Sequence, residues 1–215
     1  MTKARTEGDL SAQLDSDLTT RLRELSDLKR AIVDAEPSSR TVLLKALVAL
    51  SYAHWEGYVK YAAMKYFEYI SIRRLPYTAL HKQFYANSFL VRIATFVSNK
   101  PNIKTRIDFV EEVLSASEQR FSHINPDLIN TGFNLKFETL KDICLVCGID
   151  MRHFAAHETF IDVILLKRRN SIAHGDEAVV GFQEIDELVG NTIGLMRIFK
   201  NELENKIYTK AYLRQ

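Results

Sequence analysis

Residues 40–71, RTVLLKALVALSYAHWEGYVKYAAMKYFEYIS, decide the fold of this protein. Apolar side chains recur on nearly every side of a helical projection of this stretch, which is typical of a helix buried at the centre of a bundle. Lys45, His54 and Glu56 interrupt the apolar run, so it is not expected to span a membrane. The sequence therefore predicts a long central helix in a protein that does not enter the membrane.

The segment before this central helix carries a single apolar stripe. Its members follow each other at spacings of three and four: Leu10, Leu14, Leu18, Leu22, Leu25, Leu28 and Ile32. The other positions of residues 9–35 are mostly polar or charged, which indicates an amphipathic helix. We expect this helix to pack on the bundle or on a dimer partner, and a hairpin with the next helix is the commoner arrangement.

Helical patterns also account for the rest of the chain. With only 8 glycines and 4 prolines, the sequence has few of the residues that the tight turns of sheet proteins require. One or two helices are predicted within residues 77–98, and single helices at 104–117, 136–147, 157–174 and 183–207. Gly148 and Gly175 are expected to end two of them, and Gly190 and Gly194 to let a neighbouring backbone approach the last one. The expected fold is all-α, a bundle with long antiparallel helices.

Three parts of the chain can be distinguished on these patterns. Residues 1–36 form the N-terminal amphipathic helix, residues 37–207 the helical domain and residues 208–215 a C-terminal tail. The first residues, MTKARTEGDLSAQLDSDL, contain no apolar segment of the kind that a signal peptide requires. A composition with 47% hydrophobic and 26% charged residues is ordinary for a soluble protein, so we expect a cytoplasmic location.

Charge is unevenly distributed although the net charge is only +2. Residues 41–106 carry ten lysines and arginines against two acids, and they hold more than half of the aromatic residues. Basic and aromatic side chains together suit a surface that binds nucleic acid. The plainer interpretation is an aromatic-rich core helix whose solvent-facing edge happens to be lysine.

Cys144, Cys147, His153 and His157 form the pattern C-x2-C-x5-H-x3-H, whose ligand types suit zinc. The spacer of five residues is much shorter than in zinc-finger patterns. The cysteines also occupy positions at which the amphipathic pattern calls for apolar side chains, and a free cysteine is a good small core residue. We therefore expect no metal site, and a zinc-stabilised structural protein is kept as an alternative.

Side chains that could take part in catalysis are grouped in RRNSIAHGD, residues 168–176. At about 100° per residue, Asn170 lies about 100° and His174 about 140° from Arg169, so the three share one arc of a helix. Asn170 and His174 are i,i+4 neighbours, so the amide can orient the imidazole. The same arc is expected to hold Asp162, Val163, Leu166 and Lys167.

These residue types suit attack of an RNA 2′-hydroxyl on the adjacent phosphate without a metal. The reaction needs a base, an acid and a cation; Arg169 offers a planar fork for phosphate and His174 a group that exchanges protons. One helix supplies one histidine, so two copies meeting at a twofold axis would supply both acid and base. The ordinary alternative is a cationic last turn, which stabilises the end of many helices.

Arg169-x4-His174, closed by Gly175, resembles the RxxxxH signature of HEPN domains. SYAHWEGYVKY at residues 51–61, INTGFNLKFETL at 129–140 and KRRNSIAHGD at 167–176 together resemble HEPN-like nucleases of the MAE and RiboL-PSP types. The resemblance spans roughly residues 40–205. It implies a HEPN-like helical bundle, and a homodimer in which the two RxxxxH segments face each other across a cleft.

The resemblance also implies a metal-independent endoribonuclease without a cofactor, acting as a toxin or phage-defence effector. It assigns catalysis to Arg169 and His174 and a supporting role to Asn170. RNA is the implied substrate, and a cognate antitoxin or regulatory protein is an implied partner. Some HEPN toxins carry, two residues after the histidine, a tyrosine that a partner enzyme modifies; here that position is Asp176, which puts such regulation in doubt.

Four further residues are expected to contact the substrate: Lys167 and Arg168 beside the motif, and His54 and Glu56 from the AHWEG stretch. A second interpretation is a non-catalytic HEPN-like module that binds nucleotide, RNA or a partner protein, because some domains of this kind do not cleave RNA.

Overall fold

The computed structural model describes residues 3–99, 101–115, 119–132, 134–176 and 180–214, without the side chains of Val91 and Thr95. Its α-helices are α1 (Glu7–Asp34), α2 (Pro37–Ser71), α3 (Lys82–Asn99), α4 (Ile103–Ser115), α5 (Phe137–Cys147), α6 (Arg168–His174) and α7 (Ile185–Tyr208). Within these ranges the only β-type pairings are two isolated bridges. The prediction of an all-α fold is confirmed.

Helix α2 is the centre of the bundle and packs against α1, α6 and α7. It begins with Pro37 at its first turn, where a proline costs no helical hydrogen bond. The buried aromatic side chains of Trp55, Tyr58, Tyr66 and Phe67 lie on it. Because these rings point to different neighbours, α2 is apolar on nearly every side, as the stretch 40–71 predicted.

Helix α1 packs along α2 and α7 of its own chain. A capping box between Thr6 and Asp9 fixes its first turn, and the Thr6 hydroxyl accepts the Asp9 N–H at 3.0 Å. The leucines of the predicted stripe face the core and are buried at positions 10, 14, 18 and 25. Lys200 of α7 pairs with Asp15 at 2.7 Å, which joins the two helices at their polar edge.

Helices α3 and α4 are joined to each other by contacts between aromatic side chains. The Tyr85 ring contacts Phe89, and the Phe109 ring contacts both Phe89 and Phe96, mostly edge to face. The outer faces of both helices are apolar and exposed, at Leu90, Ile93, Val97, Ile103, Ile107, Val110 and Leu114. Among the described residues, no helix is both long and apolar enough to cross a membrane.

Residues after α7 run back along the start of α3. The His81 N–H donates to the Tyr212 carbonyl at 2.8 Å, and the Arg214 N–H donates to the Ala79 carbonyl at 3.0 Å. Tyr212 is buried. The expected close approach of another backbone at Gly190 and Gly194 is not found, because outside the local backbone of α7 no described atom lies within 4 Å of a Cβ built at either position.

The helix predicted at 157–174 has two geometries. Residues Phe160–Lys167 are π-helical and lead directly into the α-helical turns of α6. In a π-helix each N–H bonds five residues back, so each residue turns by less than 100°. The predicted arc of Asp162, Val163, Leu166 and Lys167 with Arg169 assumed 100° per residue throughout, and the π-helical segment does not keep this angle. Asp162 instead accepts the Phe137 N–H at 2.7 Å, at the start of α5.

Candidate active site

Helix α6 carries the RxxxxH motif and ends where the sequence predicted. Gly175 adopts the left-handed conformation with φ 80°, and the Asp176 N–H returns to the Ser171 carbonyl at 2.9 Å. His174 occupies the last helical turn and is exposed to solvent. Within the described part of the chain, no hydrogen bond joins Asn170 to His174, so the expected orientation of the ring by the amide is not found in a single copy.

Contacts with Tyr52 and Asn134 help to fix the direction of the Arg169 side chain. Its guanidinium carbon lies 4.1 Å from the centre of the Tyr52 ring on α2, which is stacking distance. Its Nη2 donates to the Asn134 side-chain oxygen at 3.0 Å. Arg169 therefore bridges α2 and the loop before α5, and it is partly buried there.

Tyr52 lies beneath Arg169 and is almost fully buried, with 3% of its surface exposed. Its hydroxyl accepts the Leu135 N–H at 2.6 Å. Burial raises the pKa of Tyr52 to about 12, although hydrogen bonds from Leu135 and Arg169 act in the opposite direction. The Tyr52 hydroxyl therefore keeps its proton throughout the physiological range.

Glu56 lies one turn after Tyr52 on the same side of α2. It accepts hydrogen bonds from Lys60, at 2.7 Å, and from the hydroxyl of Thr131. Burial alone would raise the pKa of Glu56, but hydrogen bonds from Lys60, Thr131 and Tyr52 outweigh it and hold this pKa below its ordinary value. Glu56 is thus an ionised carboxylate that is paired with Lys60 and Thr131, one turn along α2 from the tyrosine on which Arg169 stacks.

His54 does not join this group. It lies on the opposite side of α2, where its Nε2 is 3.1 Å from Glu24 of α1 and its Nδ1 is 3.4 Å from an Arg21 nitrogen. Only 7% of its surface is exposed. Side chains two residues apart point about 200° away from each other around the axis of an α-helix. Since Tyr52 faces α6, His54 faces the opposite side, toward α1.

The two cations that flank the motif differ from each other. Arg168 pairs with Glu184, at 2.7 Å, ahead of α7. Lys167 is exposed at the end of the π-helical segment. Of the residues expected to contact substrate, Lys167 is therefore open to solvent, while Arg168 and Glu56 have partners within the chain and His54 is covered by α1.

The residues of the zinc alternative are dispersed. Cys144 and Cys147 are core residues of α5; burial raises the pKa of the Cys144 thiol to about 12 and that of Cys147 well above its ordinary value. His153 faces solvent, 3.5 Å from Glu202. Across the ranges that the structure describes, no three His, Cys, Asp or Glu side chains are grouped to hold a metal ion.

Three residues of this site were not found from the sequence: Tyr52, Thr131 and Asn134. Tyr52 and Glu56 are four residues apart, which places them on one side of a helix, and this spacing was a usable signal. Thr131 and Asn134 lie in a turn-rich loop, for which periodicity says nothing about contacts. Their pairing with Glu56 and Arg169 depends on the tertiary packing of the loop.

The arrangement offers a fixed guanidinium and, about 140° around the same short helix, an imidazole in contact with water. A guanidinium is planar and carries several N–H donors, which suits the binding of a phosphate. An exposed imidazole can exchange a proton with a substrate that approaches from solvent. One copy of the chain presents one such histidine.

A helical bundle whose central helix fixes the arginine of an RxxxxH motif defines an all-α protein of the HEPN class. The sequence model of the RiboL-PSP-HEPN family matches residues 16–205. Because this match covers most of the chain, the protein belongs to the RiboL-PSP-HEPN family, and the resemblance found in the sequence is confirmed. No curated protein and no solved structure matches the chain.

Proposed function

We propose that this protein is a metal-independent endoribonuclease of the HEPN type. The observation that carries the proposal is the pairing, on α6, of the fixed Arg169 guanidinium with the exposed imidazole of His174. Membership of the family supports it, since the chain retains both residues of the RxxxxH signature. The substrate class is RNA, and the biological role is that of a toxin or phage-defence effector.

The reaction is a transesterification within the RNA strand. A histidine accepts the proton of a 2′-hydroxyl, whose oxygen bonds to the adjacent phosphorus, and the bond from phosphorus to the 5′-oxygen breaks. A second group donates a proton to the leaving oxygen. Arg169 offsets the negative charge that builds on the phosphorane, and Asn170 supports the site. The products carry a 2′,3′-cyclic phosphate and a 5′-hydroxyl.

A homodimer completes this chemistry. The base and the acid act on opposite sides of the phosphorus, and a single α6 offers one histidine. Two copies related by a twofold axis place two His174 side chains and two arginines about one cleft. A cognate antitoxin or regulatory protein is the partner expected for an effector of this kind.

The test compares the wild type with His174→Ala and His153→Ala on a single-stranded RNA. Because His174 is exposed, its replacement should leave the fold intact and lower the cleavage rate by about 10²- to 10⁴-fold, the usual contribution of a general acid or base. His153, an exposed histidine on another segment, should be replaceable without loss. The wild type should cleave in the presence of a chelator and leave cyclic phosphate ends. Equal cleavage by the His174 variant and the wild type contradicts the assignment.

A second candidate is a non-catalytic module that binds RNA, nucleotide or a partner protein. The observation that favours it is the exposed apolar face of α3 and α4, because apolar patches on a surface mark interaction sites. Expression in a bacterial host separates the two candidates. A nuclease is toxic as the wild type and harmless as the His174 variant, whereas a binding module affects growth equally in both forms.

A further inference from the structure

We propose that Tyr52 is the positioning residue of this site, which sets the direction of the Arg169 guanidinium and links it to loop residues Asn134 and Leu135. The proposal rests on the proposed function for its catalytic consequence. It concerns a residue that touches the phosphate-binding arginine and does not itself touch the substrate.

The ring of Tyr52 limits how Arg169 can move. An arginine side chain has several rotatable bonds and loses considerable entropy when it is fixed. With its carbon 4.1 Å from the ring centre, the guanidinium has one face covered, which fixes the plane in which its N–H groups lie. The stacking thereby reduces the ordering that substrate binding would otherwise have to supply.

The hydroxyl of Tyr52 joins α2 to the loop before α5. It accepts the Leu135 N–H at 2.6 Å. Leu135 follows Asn134, whose side-chain oxygen accepts from Arg169, so this bond holds the part of the loop that contacts the guanidinium. A phenylalanine keeps the ring but removes the bond to Leu135, so the two contributions of Tyr52 can be separated.

Two side chains of the loop form hydrogen bonds with Glu56 and Arg169. The Thr131 hydroxyl donates to Glu56, and the Asn134 side-chain oxygen accepts from Arg169. Within the loop, the Gly132 N–H donates to the Asn130 side chain at 2.9 Å. The position of Arg169 therefore depends on α2 and on this loop as well as on α6 itself.

Another tyrosine of α2 provides a matched control. Tyr58 is also buried, also lies near an arginine, with Arg21 5.9 Å from its ring, and donates its hydroxyl to the Leu14 carbonyl at 3.4 Å. Its contacts are with α1 and not with α6. A loss of activity that reflects only general damage to α2 should therefore follow either substitution.

The experiment measures kcat and KM separately for Tyr52→Phe, Tyr58→Phe, Arg169→Ala and the double variant Tyr52→Phe/Arg169→Ala. Misplacement of a phosphate-binding group should lower kcat of Tyr52→Phe by about 10- to 100-fold, with a smaller change in KM. Tyr58→Phe should keep the wild-type kcat. If Tyr52 acts through Arg169, the Tyr52 substitution causes no further loss once Arg169 is absent, whereas a purely structural role gives independent losses that multiply.

The outcomes separate this inference from the proposed function. An active wild type with an unchanged kcat in Tyr52→Phe, or losses that multiply in the double variant, overturns the positioning role alone. If the wild type does not cleave RNA, the proposed function fails, and NMR of the Arg169 guanidinium decides the inference. Restricted rotation about Nε–Cζ in the wild type that becomes fast in Tyr52→Leu, which removes the stacking ring, supports it, and equal rotation in both overturns it.

Discussion

At the scale of single residues, the histidines of α2 and α6 occupy opposite environments. His54 is enclosed between α1 and α2, whereas His174 is exposed to solvent at the end of α6. Burial, and the neighbouring Arg21, lower the pKa of His54 below its ordinary value of 6.5, against the opposite effects of Glu24 and Asp17. Protonation of His54 is therefore coupled to the stability of the fold.

The environment of His54 makes the free energy of unfolding depend on pH. Below pH 6.5 the unfolded chain binds a proton at His54 that the folded chain does not yet bind. The free energy of unfolding therefore falls as the pH decreases from 6.5 to the lower pKa of the folded state. His54→Gln removes this contribution, so urea unfolding at pH 7.5, 6.5 and 5.5 should show a steeper decline for the wild type. Parallel declines would contradict the assigned environment.

At the scale of elements, the ends of helices were predictable and their internal geometry was not. Gly148 and Gly175 end α5 and α6 as expected, because a left-handed cap is a local property that glycine determines. The π-helical turn before α6 was missed, because an apolar run such as FIDVILL has no signal that separates π from α geometry. The stacking of Arg169 on Tyr52 was also missed, since it joins residues far apart in the chain.

Two glycine-to-alanine substitutions, one at the left-handed cap of α6 and one inside α7, should have opposite effects on stability. Gly175→Ala should destabilise the protein by about 1–2 kcal/mol, the usual cost of left-handed backbone for a residue with a Cβ. Gly190 lies inside α7, exposed and with nothing within 4 Å of an added Cβ, so Gly190→Ala should stabilise by about 0.5–1 kcal/mol. Urea unfolding measures both changes. A Gly175 variant as stable as the wild type would show that the cap does not constrain α6.

At the scale of the whole molecule, three cations of residues 41–106 are paired with carboxylates. Lys60 pairs with Glu56 and Lys65 with Glu68, each at 2.7 Å, and Arg92 pairs with Glu112. Glu56 and Glu68 are the two acids of this segment itself, so of these three partners Glu112 is the one that offsets part of the excess positive charge. Net charge along the sequence could not show this, because Glu112 belongs to the following helix, α4.

The proposed homodimer makes a quantitative prediction for mixed molecules. If the two His174 side chains act as base and acid on one phosphate, a dimer with one His174→Ala subunit lacks one of them and is inactive. Subunits exchanged at equal amounts of wild type and variant should then give about one quarter of the activity of the same total of wild-type protein, the fraction of dimers with two intact subunits. Independent subunits would instead give about one half. A mixture with His153→Ala, treated in the same way, should retain full activity, and a value near one half for the His174 mixture would exclude a shared site.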